Sequence, residues 1–175
     1  GQGLWWGTGS GWTALTTLSP WGFKMGPGWR QFAALVHAGS NAIREGNPDV
    51  KIVLGGISPI DPRFIELLAG YGVLDSVDII AVHGFPLDWN HWNISEWPKK
   101  MEEIRAVSGG KAMWVSEAGA SSFGAEEVQV FGIQTMAELL LPVAERVPWY
   151  SLFSLPATWT ATTPPKEGGG RREPR

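Results

Sequence analysis

The apolar positions of this chain fall into two kinds of run that alternate. Short, nearly unbroken runs lie at residues 51–57, 77–83, 111–117 and 147–153, which is how strands buried on both faces read. Between them apolar residues recur three and four apart, the spacing of an amphipathic helix. Pro27 opens the first such stretch at a favoured first-turn position, with Phe32, Leu35, Val36 and Ile43 on one face, and Asn47-Pro48 closes it. Asp61-Pro62 is an N-cap and first-turn pair for a short helix through Leu68. Ser95 caps a third helix whose Trp97, Met101 and Ile104 share a face, with Pro98 tolerated in its first turn. A fourth begins after Phe123-Gly124. Glu126 and Glu127 fill its first turn as the helix dipole prefers, and Val128, Phe131, Met136, Leu139, Leu140 and Val143 mark its buried stripe.

The order is helix, then strand and helix three times, then a strand. Strands at intervals of roughly 30 residues, separated by amphipathic helices, are the signature of a parallel sheet. The predicted fold class is therefore α/β. Right-handed crossovers bring the C-terminal ends of all such strands to one face. His83, Glu117 and the polar end of the strand that holds Trp149 converge there.

The flanks read differently. Residues 1–26 are rich in Gly, Trp and Thr, hold no Asp or Glu, and read as irregular; the first acidic residue is Glu45. Residues 164–175 carry Pro, Gly and charge with nothing apolar to bury, and read as a disordered tail. A net charge of −3, with 43% apolar and 18% charged residues, fits a soluble globular protein. It shows no basic stripe for nucleic acid. No apolar run reaches the length of a membrane span. Without cysteine there is neither a disulfide framework nor a thiolate metal site, and the redox compartment is undetermined. The first residues lack a basic start and an apolar core, so no signal peptide is expected and the cytoplasm is favoured over secretion. Eleven Trp against two Tyr is the unusual feature. Flat amphipathic rings in polar and Gly-rich surroundings suit a carbohydrate surface as well as a core.

Glu117 is the centre of the candidate chemistry. It falls where the third strand ends, and Ala118, Gly119 and Ala120 keep bulk away from it. A carboxylate there sits on the face where (β/α) barrels place their chemistry; a strand-end Glu that meets water or caps the next helix is the plainer alternative. His83 is either a partner of Glu117 or a core histidine held by hydrogen bonds. His83, His91 and Glu117 together could form a two-histidine, one-carboxylate metal set, but they lack the local spacing of a zinc motif, and no metal or cofactor is expected. Gly7 to Gly11 lacks the strand–turn–helix setting of a phosphate loop.

Val82-His83-Gly84-Phe85-Pro86, Trp114-Val115-Ser116-Glu117-Ala118-Gly119 and Trp149-Tyr150-Ser151-Leu152 resemble the last strands of a clan A glycoside hydrolase, with the β-xylosidase-like members the nearest. The resemblance covers residues 27–163 and implies a partial (β/α)8 TIM barrel, the four strands being similar to strands five to eight. It makes Glu117 the counterpart of the catalytic nucleophile and His83 the residue that orients it. Trp149 becomes the Trp lining the subsite of the cleaved sugar. Asp88, Trp89, His91 and Trp92 fall in a loop that shapes substrate access.

The chain also departs from that family. The clan takes its acid/base from a strand-four Asn-Glu pair, a position that falls here before Pro27, where no carboxylate exists. A full barrel needs about 250 residues. The expectation is a C-terminal half-barrel, truncated in its N-terminal half. Two functions follow: a retaining β-glycoside hydrolase or a fragment of one, or a catalytically impaired remnant that binds carbohydrate. Asp61, Asp78 and Asp88 are the remaining carboxylates near the active face, with Asp61 better read as a helix cap and Asp78 as an edge residue. The expected partner is a β-glycoside, with self-association through open sheet edges.

Overall fold

The computed structural model describes residues 27–151 apart from 59, 89, 91, 123 and 124. The expectations for residues 1–26, for the last two residues of the fourth strand and for the 164–175 tail lie outside the described residues. In chain order the elements are α1 (Pro27–Gly46), β1 (Val53–Ile57), α2 (Pro62–Gly70), a 3-10 turn (Val73–Ser76), β2 (Ile79–Gly84), a second 3-10 turn (Ile94–Glu96), α3 (Trp97–Val107), β3 (Ala112–Ala118) and α4 (Glu126–Leu140). The strands form an open, fully parallel sheet in the order β1-β2-β3. The fold is thus α/β with strand–helix alternation, as the runs predict. The fourth run is not a regular strand among the described residues. It lies parallel beside β3 through two isolated bridges, Trp114 with Arg146 and Ala118 with Trp149.

The core lies between the sheet and its helices. Leu54 and Ile57 of β1, Ile80 and Val82 of β2, and Met113, Val115 and Ala118 of β3 enter it. Side chains alternate along a strand, so Ile79, Ala81 and His83 take the opposite face. Trp97, Met101 and Ile104 of α3 are fully buried, as their shared face predicts. Asp61 caps α2 through the Arg63 amide, again as predicted, and its carboxylate also clasps the Arg63 guanidinium. Ser95 does not cap α3, whose N-cap position is Glu96 without a side-chain cap; the cap is Asn93, one turn earlier. Asn93 Oδ1 accepts from the Ser95 amide and Glu96 returns to the Asn93 amide, a capping box around the 3-10 turn that leads into the helix.

Two apolar stripes are corrected. On α1 the core face is Trp29, Ala33 and Ser40, with Phe32 and Val36 packed at its margin, while Leu35 and Ile43 stand exposed. On α4 the core face is Gly132, Met136 and Leu140, while Val128 and Phe131 are exposed together with Val130 and Ile133. The reason is position. Among the described residues α1 packs chiefly on the 3-10 turn after α2, and α4 on α3 and the second 3-10 turn, so their other flanks stay uncovered. The inner helices α2 and α3 leave no large apolar residue exposed. Among the described residues no helix is long and apolar enough to cross a membrane.

His37 joins α1 to the turn after α2. Its Nε2 donates to the Tyr71 carbonyl oxygen at 3.0 Å, and its Nδ1 lies 2.6 Å from the Ser76 hydroxyl. At the opposite end of the sheet from His83, Asp78 accepts from the Ile52 amide at 2.8 Å and from Arg44 at 3.0 Å. It is therefore a strand-start clamp rather than an active-face group. The Ile52 amide, with Arg44 helping, holds its carboxyl below the usual range despite the opposing cost of burial.

Candidate functional site

Glu117 and His83 face each other because of a bulge. β2 and β3 run in step from Ile79 opposite Ala112 to Val82 opposite Val115, and then His83 pairs with Glu117, leaving Ser116 as the extra residue. Strict alternation would have put Glu117 on the side of Val115, in the helix layer. The extra residue reverses the side, so that Glu117 joins His83 on the other face. His83 Nδ1 lies 3.5 Å from Glu117 Oε2, with the His83 side chain 16% and the Glu117 side chain 43% exposed. The Ser116 hydroxyl, in the bulge, is buried without a hydrogen-bond partner among the described residues.

Gly56 makes room for the imidazole. It sits in a second irregularity, where β1 spends Gly55 and Gly56 opposite Ala81 between the pairs Leu54–Ile80 and Ile57–Val82. A Cβ at Gly56 would fall inside the His83 ring. The ring is thus enclosed, and burial lowers its pKa while the Glu117 carboxylate pulls it up; burial dominates. His83 is neutral at neutral pH. Its Nδ1 faces a carboxylate oxygen, which only accepts.

The remaining expected site residues scatter. Trp149 bridges Ala118, and bridge partners share a side, so Trp149 belongs with the helix layer. Its Cη2 lies 3.8 Å from where a Cβ on Gly132 of α4 would stand. Trp92 packs edge-on to Trp97 at 5.0 Å, and the Lys100 ammonium covers its ring at 5.0 Å. Asp88 is turned to Ser121, whose amide donates to it at 2.9 and 3.2 Å and whose hydroxyl donates as well. Trp89 and His91 lie outside the described residues. Among the described residues no three His, Asp or Glu side chains gather for a metal ion.

Tyr150 is the residue sequence reasoning passed over. It follows Trp149 and is 55% exposed. Its amide donates to the Ala118 carbonyl at 2.8 Å, and its ring stands edge-on to Phe85 at 6.2 Å. The signal available in the sequence was adjacency to Trp149; the side each ring takes was not. A cleft of about 470 Å³ opens next to this region, lined by Trp114, Val115, Ser116, Arg146, Val147 and Pro148, and does not include the Glu117–His83 pair. Neither a scan against protein-family models nor a search of curated proteins finds a match for this chain.

Proposed function

We propose that this chain is part of a retaining β-glycoside hydrolase of the (β/α)8 type, similar to the β-xylosidases, with Glu117 as nucleophile. The observation that carries the reading is the register that faces Glu117 with a neutral, partly buried His83 at the C-terminal ends of adjacent parallel strands. In this reaction a Glu117 oxygen bonds to the anomeric carbon as the bond to the leaving oxygen breaks. Water then cleaves the glycosyl ester. His83 stands beside the attacking carboxylate, its Nδ1 3.5 Å from Glu117 Oε2, and the exposed Tyr150 ring offers a sugar-facing surface.

Retaining hydrolysis uses a second carboxyl about 5–5.5 Å from the first. Asp61, Asp78 and Asp88 are each engaged elsewhere. With these described residues alone, the leaving group departs unprotonated, which restricts turnover to aryl glycosides of acidic phenols. That same observation favours a second reading, a carbohydrate-binding remnant without turnover. The bare flanks of α1 and α4 and the outer edge of β1 also support self-association.

Mass spectrometry after exposure to an activated aryl β-xyloside, fluorinated beside the anomeric carbon, decides between the two. The hydrolase reading expects one glycosyl adduct on Glu117 and none on Glu117→Gln, since an amide is a poor nucleophile. Saturable sugar binding with no adduct supports the remnant. An adduct that survives Glu117→Gln removes Glu117 from the chemistry.

A further inference from the structure

The turn after β2 is tied across to the segment after β3, and one side chain makes the tie. Both carboxylate oxygens of Asp88 accept from the Ser121 amide, at 3.2 and 2.9 Å, and the Ser121 hydroxyl donates to the same group. The turn that carries Asp88 is itself well held. The amides of Asp88 and Asn90 both donate to the Phe85 carbonyl at 3.1 Å, and the Asn90 side chain accepts from the Phe85 amide. What the turn presents is apolar. Phe85 is buried, with Cε1 3.3 Å from where a Cβ on Gly119 would stand, and it meets the Tyr150 ring edge-on. Leu87 reaches α4, its Cδ1 3.0 Å from a Cβ position on Gly132.

We propose that Asp88 is a positioning residue, a latch that closes the loop after β2 onto the loop after β3 and so sets the Phe85–Tyr150 rim against Gly119, two residues beyond Glu117. A charged acceptor taking two donors from one residue forms the stronger kind of hydrogen bond. It joins the two loops that follow the two strands bearing His83 and Glu117. With the latch open, the turn keeps its own hydrogen bonds at Phe85 but loses its tie to the loop after β3, and a ligand that stacks on the rim must order the loop as it binds. The consequence for sugar binding rests on the glycoside reading above; the latch itself does not.

The test pairs two readouts on the full chain: hydrogen exchange of the Ser121 amide by NMR, and the Kd for xylotriose. Asp88→Ala removes both acceptors, whereas Asp88→Asn keeps one carbonyl oxygen for the Ser121 amide. The expected result is Ser121 exchange faster by about tenfold or more in Asp88→Ala, a Kd weaker by about tenfold, and recovery of most of both in Asp88→Asn. Unchanged Ser121 exchange in Asp88→Ala overturns the latch. Faster exchange with an unchanged Kd overturns its role at the rim. A wild-type chain that protects Ser121 but binds no xylotriose removes the glycoside reading and leaves the latch standing.

Discussion

Gly56→Ala tests whether a glycine on one strand controls the charge state of a histidine on the next. The backbone at Gly56 has no positive φ, so the substitution carries no conformational penalty of its own. The cost is steric, because the new Cβ would occupy the His83 imidazole. Forcing extra volume into a packed site costs about 1–3 kcal/mol, and the ring can relieve it by swinging out toward water. That motion breaks the 3.5 Å approach of Nδ1 to Glu117 and removes the burial that lowers the His83 pKa. NMR titration should find the His83 pKa below its ordinary value of about 6.5 in the wild type and near that value in Gly56→Ala. The sign for stability follows. In the wild type the unfolded chain takes up this proton before the folded chain does. The contribution is therefore complete above about pH 6.5 and is lost as pH falls through the folded pKa. Urea melts should show that slope in the wild type and lose it in Gly56→Ala. A His83→Ala background supplies the control, because with the ring gone the methyl group at position 56 should cost little. The reasoning is refuted by an unchanged His83 pKa in Gly56→Ala, or by the same stability loss with and without the imidazole.

Three further outcomes follow from the packing and the ion pairs. Trp97→Ala removes a fully buried ring that touches Trp92 and fills the space over Gly84; it should cost about 3–5 kcal/mol in urea melts, and a loss below about 1 kcal/mol contradicts the packing. Asp61→Ala takes away the α2 cap and should cost about 1 kcal/mol, read as a lower urea midpoint at unchanged slope. Asp78, whose carboxyl is held below its ordinary value, contributes stability that is complete above about pH 4 and lost as pH falls through its folded pKa. Asp78→Asn should flatten the acid limb of the stability profile, and an unchanged limb contradicts the clamp on Ile52 and Arg44.

The order of elements was legible because it rests on local rules. Unbroken apolar runs and helical spacing located three strands and four helices, and the Asp61-Pro62 pair identified a cap, since these signals depend on neighbours in the chain. The placement of Glu117 and His83 at the same end of neighbouring strands was also legible, because parallel βαβ units bring the C-terminal strand ends to one face. Which face of the sheet each side chain takes was not. Counting alternate residues from Val115 puts Glu117 in the helix layer, and the unpaired Ser116 moves it to His83. The bridge at Ala118 likewise puts Trp149 with the helices. The α1 and α4 stripes failed for a related reason. Both helices carry apolar residues on two flanks, and only the neighbours present in space decide which flank is covered. Sequence alone determined the alternation and the strand ends, whose causes are local. Tertiary structure decided the sides, because a single bulged residue reverses every face beyond it.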